Sequence, residues 1–90
     1  MQILWTAPAA QDFYSIIRYI RRDNPTAARE VAKTLYDGCE SLVNSPNRGR
    51  KGKQTGTREL VFSPLPYIAV YRVKADTVEI LHIWHGAQDR

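Results

Sequence analysis

TRELVFSPLPYIAVYRV, residues 57–73, and TVEILHIWH, residues 77–85, decide the fold. Bulky apolar and β-branched side chains dominate both, and Pro64, Pro66 and the Ala75-Asp76 pair break them, so the stretch reads as three consecutive antiparallel strands over 57–62, 67–74 and 77–85. Residues 67–73 are apolar on both alternating faces apart from Arg72, the signature of a central strand. Arg58, Glu59, Arg72, His82 and His85 stand among these apolar residues as the polar groups of the sheet.

Working outward, QILWT at residues 2–6 is short and apolar and suits a first strand. Thr6 can cap a helix and Pro8 fits its first turn, where the missing N–H has no intrahelical partner. Ala9, Ala10, Phe13, Ile16, Ile17 and Ile20 then recur every three or four residues, with Gln11, Ser15, Arg18, Arg21 and Arg22 opposite them. Pro25 ends that helix near Asn24, which can cap a second one carrying Ala28, Val31, Leu35, Cys39 and Leu42 on its apolar stripe. NRGRKGKQTG, residues 47–56, has three glycines and four basic residues without a large apolar side chain, and reads as a mobile loop. The expectation is one α+β domain over residues 1–90, in which an N-terminal strand and an antiparallel helical hairpin pack on a mainly antiparallel sheet of about four strands, in the order β-α-α-β-β-β.

Ninety residues with 43% apolar composition and nine aromatics can bury one core. Cys39 is the lone cysteine, so it is expected as a small core residue, with no internal disulfide or cysteine-built zinc site. Neither a signal peptide nor an apolar run of about 18 residues is present, and a cytoplasmic location without membrane association is expected. The net charge of +4 is uneven: residues 1–47 hold five basic and five acidic groups, whereas residues 48–90 hold eight and four. Arg48, Arg50, Lys51, Lys53 and Arg58 follow one another with no acid between Glu40 and Glu59, which suits an acidic protein or nucleic acid as partner.

The chemistry these residues offer is limited. The glycine-containing loop fits neither phosphate-binding spacing, and His82 and His85, three apart on a strand, point to opposite sides and cannot share one metal, so no cofactor or metal is expected. Metal-free RNA cleavage needs a base, an acid and cations for the phosphorane, roles open to Arg58, Glu59, Arg72 and His85 with the loop lysines. Arg58 and Glu59 are adjacent on a strand and so face apart; a pairing of Arg58 or Arg72 with Glu59 across strands is their structural alternative.

WTAPAAQDF after the first strand, IIRYI in the first helix, NPTAA opening the second and RELVFSPLPYIAVYRVKADTVEILHIWHGAQ together resemble the ParE/RelE superfamily of bacterial type II toxins over nearly the entire chain. The resemblance implies a small sandwich toxic to its own cell. It also implies a cognate antitoxin, a small DNA-binding protein whose acidic C-terminal segment wraps the toxin along the groove between helical hairpin and sheet. RelE-like members cut messenger RNA on the ribosome, and ParE-like members poison DNA gyrase. Where RelE-like ribonucleases carry two lysines this chain has Glu59 and Val61, where they carry an arginine before the VY pair it has Ile68, and their C-terminal catalytic arginine falls near Gln88. The wording RE, then P-x-x-PYI-x-VYRV and a late histidine, is more similar to ParE, with Arg58 and His85 in the shared pattern. The resemblance therefore implies a gyrase inhibitor without chemistry of its own, with Arg48, Arg50, Lys51, Lys53, Arg58 and His85 as candidate contacts to the target. A ribosome-dependent mRNA endoribonuclease is the alternative.

Overall fold

The computed structural model describes residues 1–86. The elements run β1 (Gln2–Trp5), α1 (Ala7–Asp23), α2 (Pro25–Glu40), a 3-10 turn (Ser41–Val43), β2 (Arg50–Lys51), β3 (Arg58–Val61), β4 (Tyr67–Val73) and β5 (Thr77–His85). Both helix starts follow from side-chain caps. The Thr6 hydroxyl accepts from Ala9 N–H and the Asn24 amide oxygen from Ala27 N–H, each with a proline in the helix's first turn. Asn24 also receives the end of α1, since its own N–H donates to Ile20 O at 2.9 Å, so one residue closes the first helix and opens the second.

The sheet has five strands in the order β1-β5-β4-β3-β2, and β4 occupies the centre as its two-sided apolar pattern requires. It is mixed, because β1 pairs in parallel with β5 while the other neighbours are antiparallel. The strand beyond the expected four is β2, inside the segment read as a loop: Arg50 lies opposite Glu59, Lys51 opposite Arg58, and Gly52 N–H donates to Thr57 O at 2.9 Å. Nothing in RGRKG alternates in hydropathy, so the pairing rests on backbone bonds and charge and leaves no periodic trace in sequence.

The helices cover one face of the sheet. Leu35, Cys39 and Leu42 meet Leu60, Ala69, Tyr71, Val78 and Ile80 in a core where Tyr71, Leu35, Leu42, Ile80, Val78 and Cys39 are all fully buried. Gly38 permits this approach, since a Cβ there would stand 2.3 Å from Phe62 Cε1. A bulge in β5 sets which residues face which layer. Tyr71 is opposite Ile80 but Val70 is opposite His82, so Leu81 is the additional residue and Ile80 and Ile83, three apart, both enter the core. The same shift sends His82 and Trp84 toward the uncovered face. No helix among the described residues is long and apolar enough to cross a membrane.

Candidate functional site

The polar residues of the sheet separate into three places. On the face away from the helices, Glu59, Val70, Leu81, His82 and Trp84 floor a cleft of about 270 Å³, and Lys53, Gln54 and Thr57 of the β2–β3 connection wall it. Among the described residues Glu59 is the buried acid, 5% exposed, and its carboxylate accepts from Arg50 Nε at 3.1 Å and Nη2 at 2.9 Å. A buried carboxylate needs such a partner, and here the partner comes from β2, not from Arg58 or Arg72 across the sheet.

Arg58 points the other way. Its Nη1 donates to Gly49 O at 2.7 Å and Asn47 O at 3.3 Å, which fastens the segment leading into β2. Tyr71 holds that segment from inside: its hydroxyl accepts from Gly49 N–H at 2.9 Å and donates to Pro46 O at 2.8 Å. The basic stretch is thus anchored at its base by a core tyrosine and a strand arginine. Arg48 donates to the Ser41 hydroxyl at 2.7 Å; Lys51 in β2 and Lys53 on the β2–β3 connection are exposed residues.

Arg72 pairs with Glu79 on the neighbouring strand, and Lys74 adds a second cation at 3.7 Å. The Arg72 guanidinium bonded to Glu79 holds that carboxyl below the usual carboxylate range. His85 lies on the helix side of the sheet, its ring edge-on to Tyr67 at 5.8 Å, beside a cleft of about 370 Å³ shared with Asp12, Tyr19 and Tyr67. Arg58, Glu59, Arg72 and His85 therefore occupy separate environments and do not converge on one point. Val61 is exposed and Ile68 buried at the positions noted for ribonuclease cations, and Gln88 lies outside the described residues.

An arrangement the sequence reading missed involves His82. Its ring stacks on Trp84 with centroids 4.7 Å apart, and Nδ1 lies 3.1 Å from Asp12 Oδ2. Asp12 reaches over from α1, and the same oxygen accepts from Ile83 N–H at 3.0 Å. His82 also lines the open-face cleft, so the contact with Asp12 ties α1 to that cleft. Seventy positions separate Asp12 from His82, so no local spacing signals the pair. Among the described residues, no group of three or more His, Cys, Asp or Glu side chains is placed to hold a metal ion.

A third surface is aromatic. Trp5 stacks parallel to Tyr36 at 6.1 Å and meets Phe13 edge-on at 5.5 Å, and with Ala10 and Tyr14 they line a groove of about 240 Å³ where β1 passes under the helical hairpin. Trp5 Nε1 donates to Glu40 at 3.3 Å, which fixes the indole against α2.

With this geometry in place, the similarity to known proteins is informative. The model of the ParE toxin of the type II toxin–antitoxin system parDE matches residues 3–90. The protein Y4kP of Sinorhizobium fredii is 39% identical over 87 residues, covering 97% of this chain and 90% of the relative. Toxin RelE2 of Caulobacter vibrioides is also 39% identical over 87 residues, covering 97% of each. Among solved structures, a chain of the chromosomal ParDE system of P. aeruginosa superposes with a TM-score of 0.84 at 27% identity, covering 94% of this chain and 95% of that one. Matched from Ile3 onward and nearly end to end, this chain belongs to the ParE toxin family of type II toxin–antitoxin systems.

Proposed function

We propose that this toxin arrests growth in the cytoplasm by binding DNA gyrase while the enzyme holds cut DNA, and that a cognate antitoxin silences it. The observation that carries this reading is the dispersal of the would-be ribonuclease residues. Arg58 serves loop carbonyls, Glu59 is neutralised by Arg50, Arg72 by Glu79, and His85 sits on the opposite side of the sheet from the open cleft. Phosphorane stabilisation needs cations aimed at one point. A toxin that binds its target needs only an accessible surface, and Lys51 and Lys53, with Arg48 and Arg50 at their base, offer one beside the cleft.

The antitoxin's seat in this reading is the groove of Trp5, Ala10, Phe13, Tyr14 and Tyr36. Its rings are half-buried to exposed and would take the apolar side of an amphipathic segment, while the net charge of +4 draws the acidic side. Induction in cells tests the whole proposal. Growth should stop with plasmid DNA cleaved or losing supercoils, and co-expression of the cognate antitoxin should restore both. Arrest with unchanged plasmid topology contradicts it.

One observation favours a second reading, ribosome-dependent mRNA cleavage. His82, in the floor of the cleft that Lys53 walls, forms an acid–imidazole pair with Asp12, and a Caulobacter relative bears the RelE name. Primer extension after induction would then map new transcript ends, lost in His82→Gln. Unchanged ends remove this reading.

A further inference from the structure

The tally along the sequence puts the cationic excess in the second half, yet the structure pairs several of those cations. Arg50 is bound to Glu59, and Arg72 and Lys74 to Glu79. In the first half three of the five acids are engaged away from the arginines of α1: Asp12 with His82 and Ile83 N–H, Asp37 with Lys33, Glu40 with Trp5. Arg18, Arg21 and Arg22 of α1 are exposed, and none forms an ion pair among the described residues.

Their spacing is informative. At i, i+3 and i+4 the three share one helix face and repel one another, an arrangement that costs helix stability in isolation. Asp12 and Asp23 lie roughly 80–180° round the helix from them, by the turn of about 3.6 residues. Attraction of Arg21 and Arg22 to the negative C-terminal end of α1 accounts for part of this, but not for Arg18 one turn earlier. A polyanion laid along the face would turn the mutual repulsion into attraction.

We infer that the outward face of α1, through Arg18, Arg21 and Arg22, holds the phosphate backbone of duplex DNA independently of sequence. Shape and chemistry favour duplex DNA over the other anions. Its other exposed polar groups are Gln11, Tyr14 and Ser15, of which Tyr14 and Ser15 line clefts beside it; none of the clefts described above is lined by Arg18, Arg21 or Arg22 themselves, which suits a phosphate backbone lying along them better than an apolar side chain that needs a pocket. A helix about 10–12 Å across matches a major groove about 12 Å wide, which carries a charge for every ~1.7 Å of axis. Guanidinium groups suit phosphate through paired N–H bonds. This surface is separate from the gyrase reading, because it is tested on naked DNA.

The test is fluorescence anisotropy of the purified toxin with a labelled 20-base-pair duplex of arbitrary sequence at 50 to 200 mM KCl. Three released counterions predict a log–log salt slope near −2.7, about a 40-fold loss of affinity across that range. The triple variant Arg18→Gln, Arg21→Gln, Arg22→Gln should bind at least tenfold more weakly at 50 mM with a nearly flat slope. The triple Arg→Lys variant should stay within threefold of wild type. If the glutamine triple loses its helix by circular dichroism, single glutamine variants carry the test, each lowering the slope by about 0.9. Binding unchanged in the glutamine variants overturns the inference. So does binding abolished instead by Arg48→Gln with Lys51→Gln and Lys53→Gln, or a duplex displaced more readily by single-stranded RNA or polyglutamate than by unlabelled duplex.

Discussion

Tyr71 is the residue on which the basic segment depends. Its hydroxyl, at the end of a fully buried ring, satisfies Gly49 N–H and Pro46 O, and Gly49 is packed so closely that a Cβ would meet that hydroxyl oxygen at 2.7 Å. Tyr71→Phe leaves both backbone groups without this partner, at an expected cost of about 1–3 kcal/mol. Thermal denaturation checks it: each kcal/mol lowers the Tm of a domain this size by roughly 4–8 °C. Cys39 makes a prediction of opposite character. Burial pushes its thiol up to about 12, so the folded state keeps the proton that an unfolded chain releases from about pH 8.5. Its contribution to stability is full below that pH and falls away as pH rises toward 12. Native protein should resist a thiol reagent at pH 8 and react on unfolding; rapid native labelling would contradict the burial. The core role of Cys39 was legible from its helical spacing, but the duties of Arg58 and Glu59 were not. Their partners, the Gly49 and Asn47 carbonyls and Arg50, are brought alongside only when β2 forms.

At the scale of elements, α1 and β5 decide how the layers join. β1 pairs with β5 only from Thr77 to Ile80, and beyond that the outer edge of β5 is closed by side chains: the Thr6 hydroxyl donates to Ile80 O at 2.7 Å, and Asp12 accepts from Ile83 N–H. An uncapped edge there would be a template for unwanted pairing. Asp12→Ala should therefore destabilise by about 1–3 kcal/mol, the cost of an unpaired buried backbone donor. It should also speed hydrogen exchange at Ile83 more than at Val78; uniform exchange at both would show that Asp12 is not an edge cap. Helix limits were readable because Thr6, Asn24, Pro8 and Pro25 act within four residues of their targets. The bulge at Leu81 and the pairing of β2 were not, since each is fixed by strands that meet only in the fold.

For the molecule as a whole, family membership and the α+β layering were legible because the motif-bearing segments keep their order across nearly the full chain. Charge was less so. A count along the chain pointed to residues 48–90, while the folded arrangement pairs several of those cations and leaves arginines of α1 exposed. Dispersal of Arg58, Glu59, Arg72 and His85 over separate environments is the support for the proposed gyrase binding. The most direct measurement incubates purified toxin with gyrase, ATP and supercoiled plasmid, then releases any trapped complex with detergent and protease. Linear plasmid accumulating with toxin concentration, and suppressed by the antitoxin, is the predicted result; undisturbed supercoiling with no linear product would contradict the account.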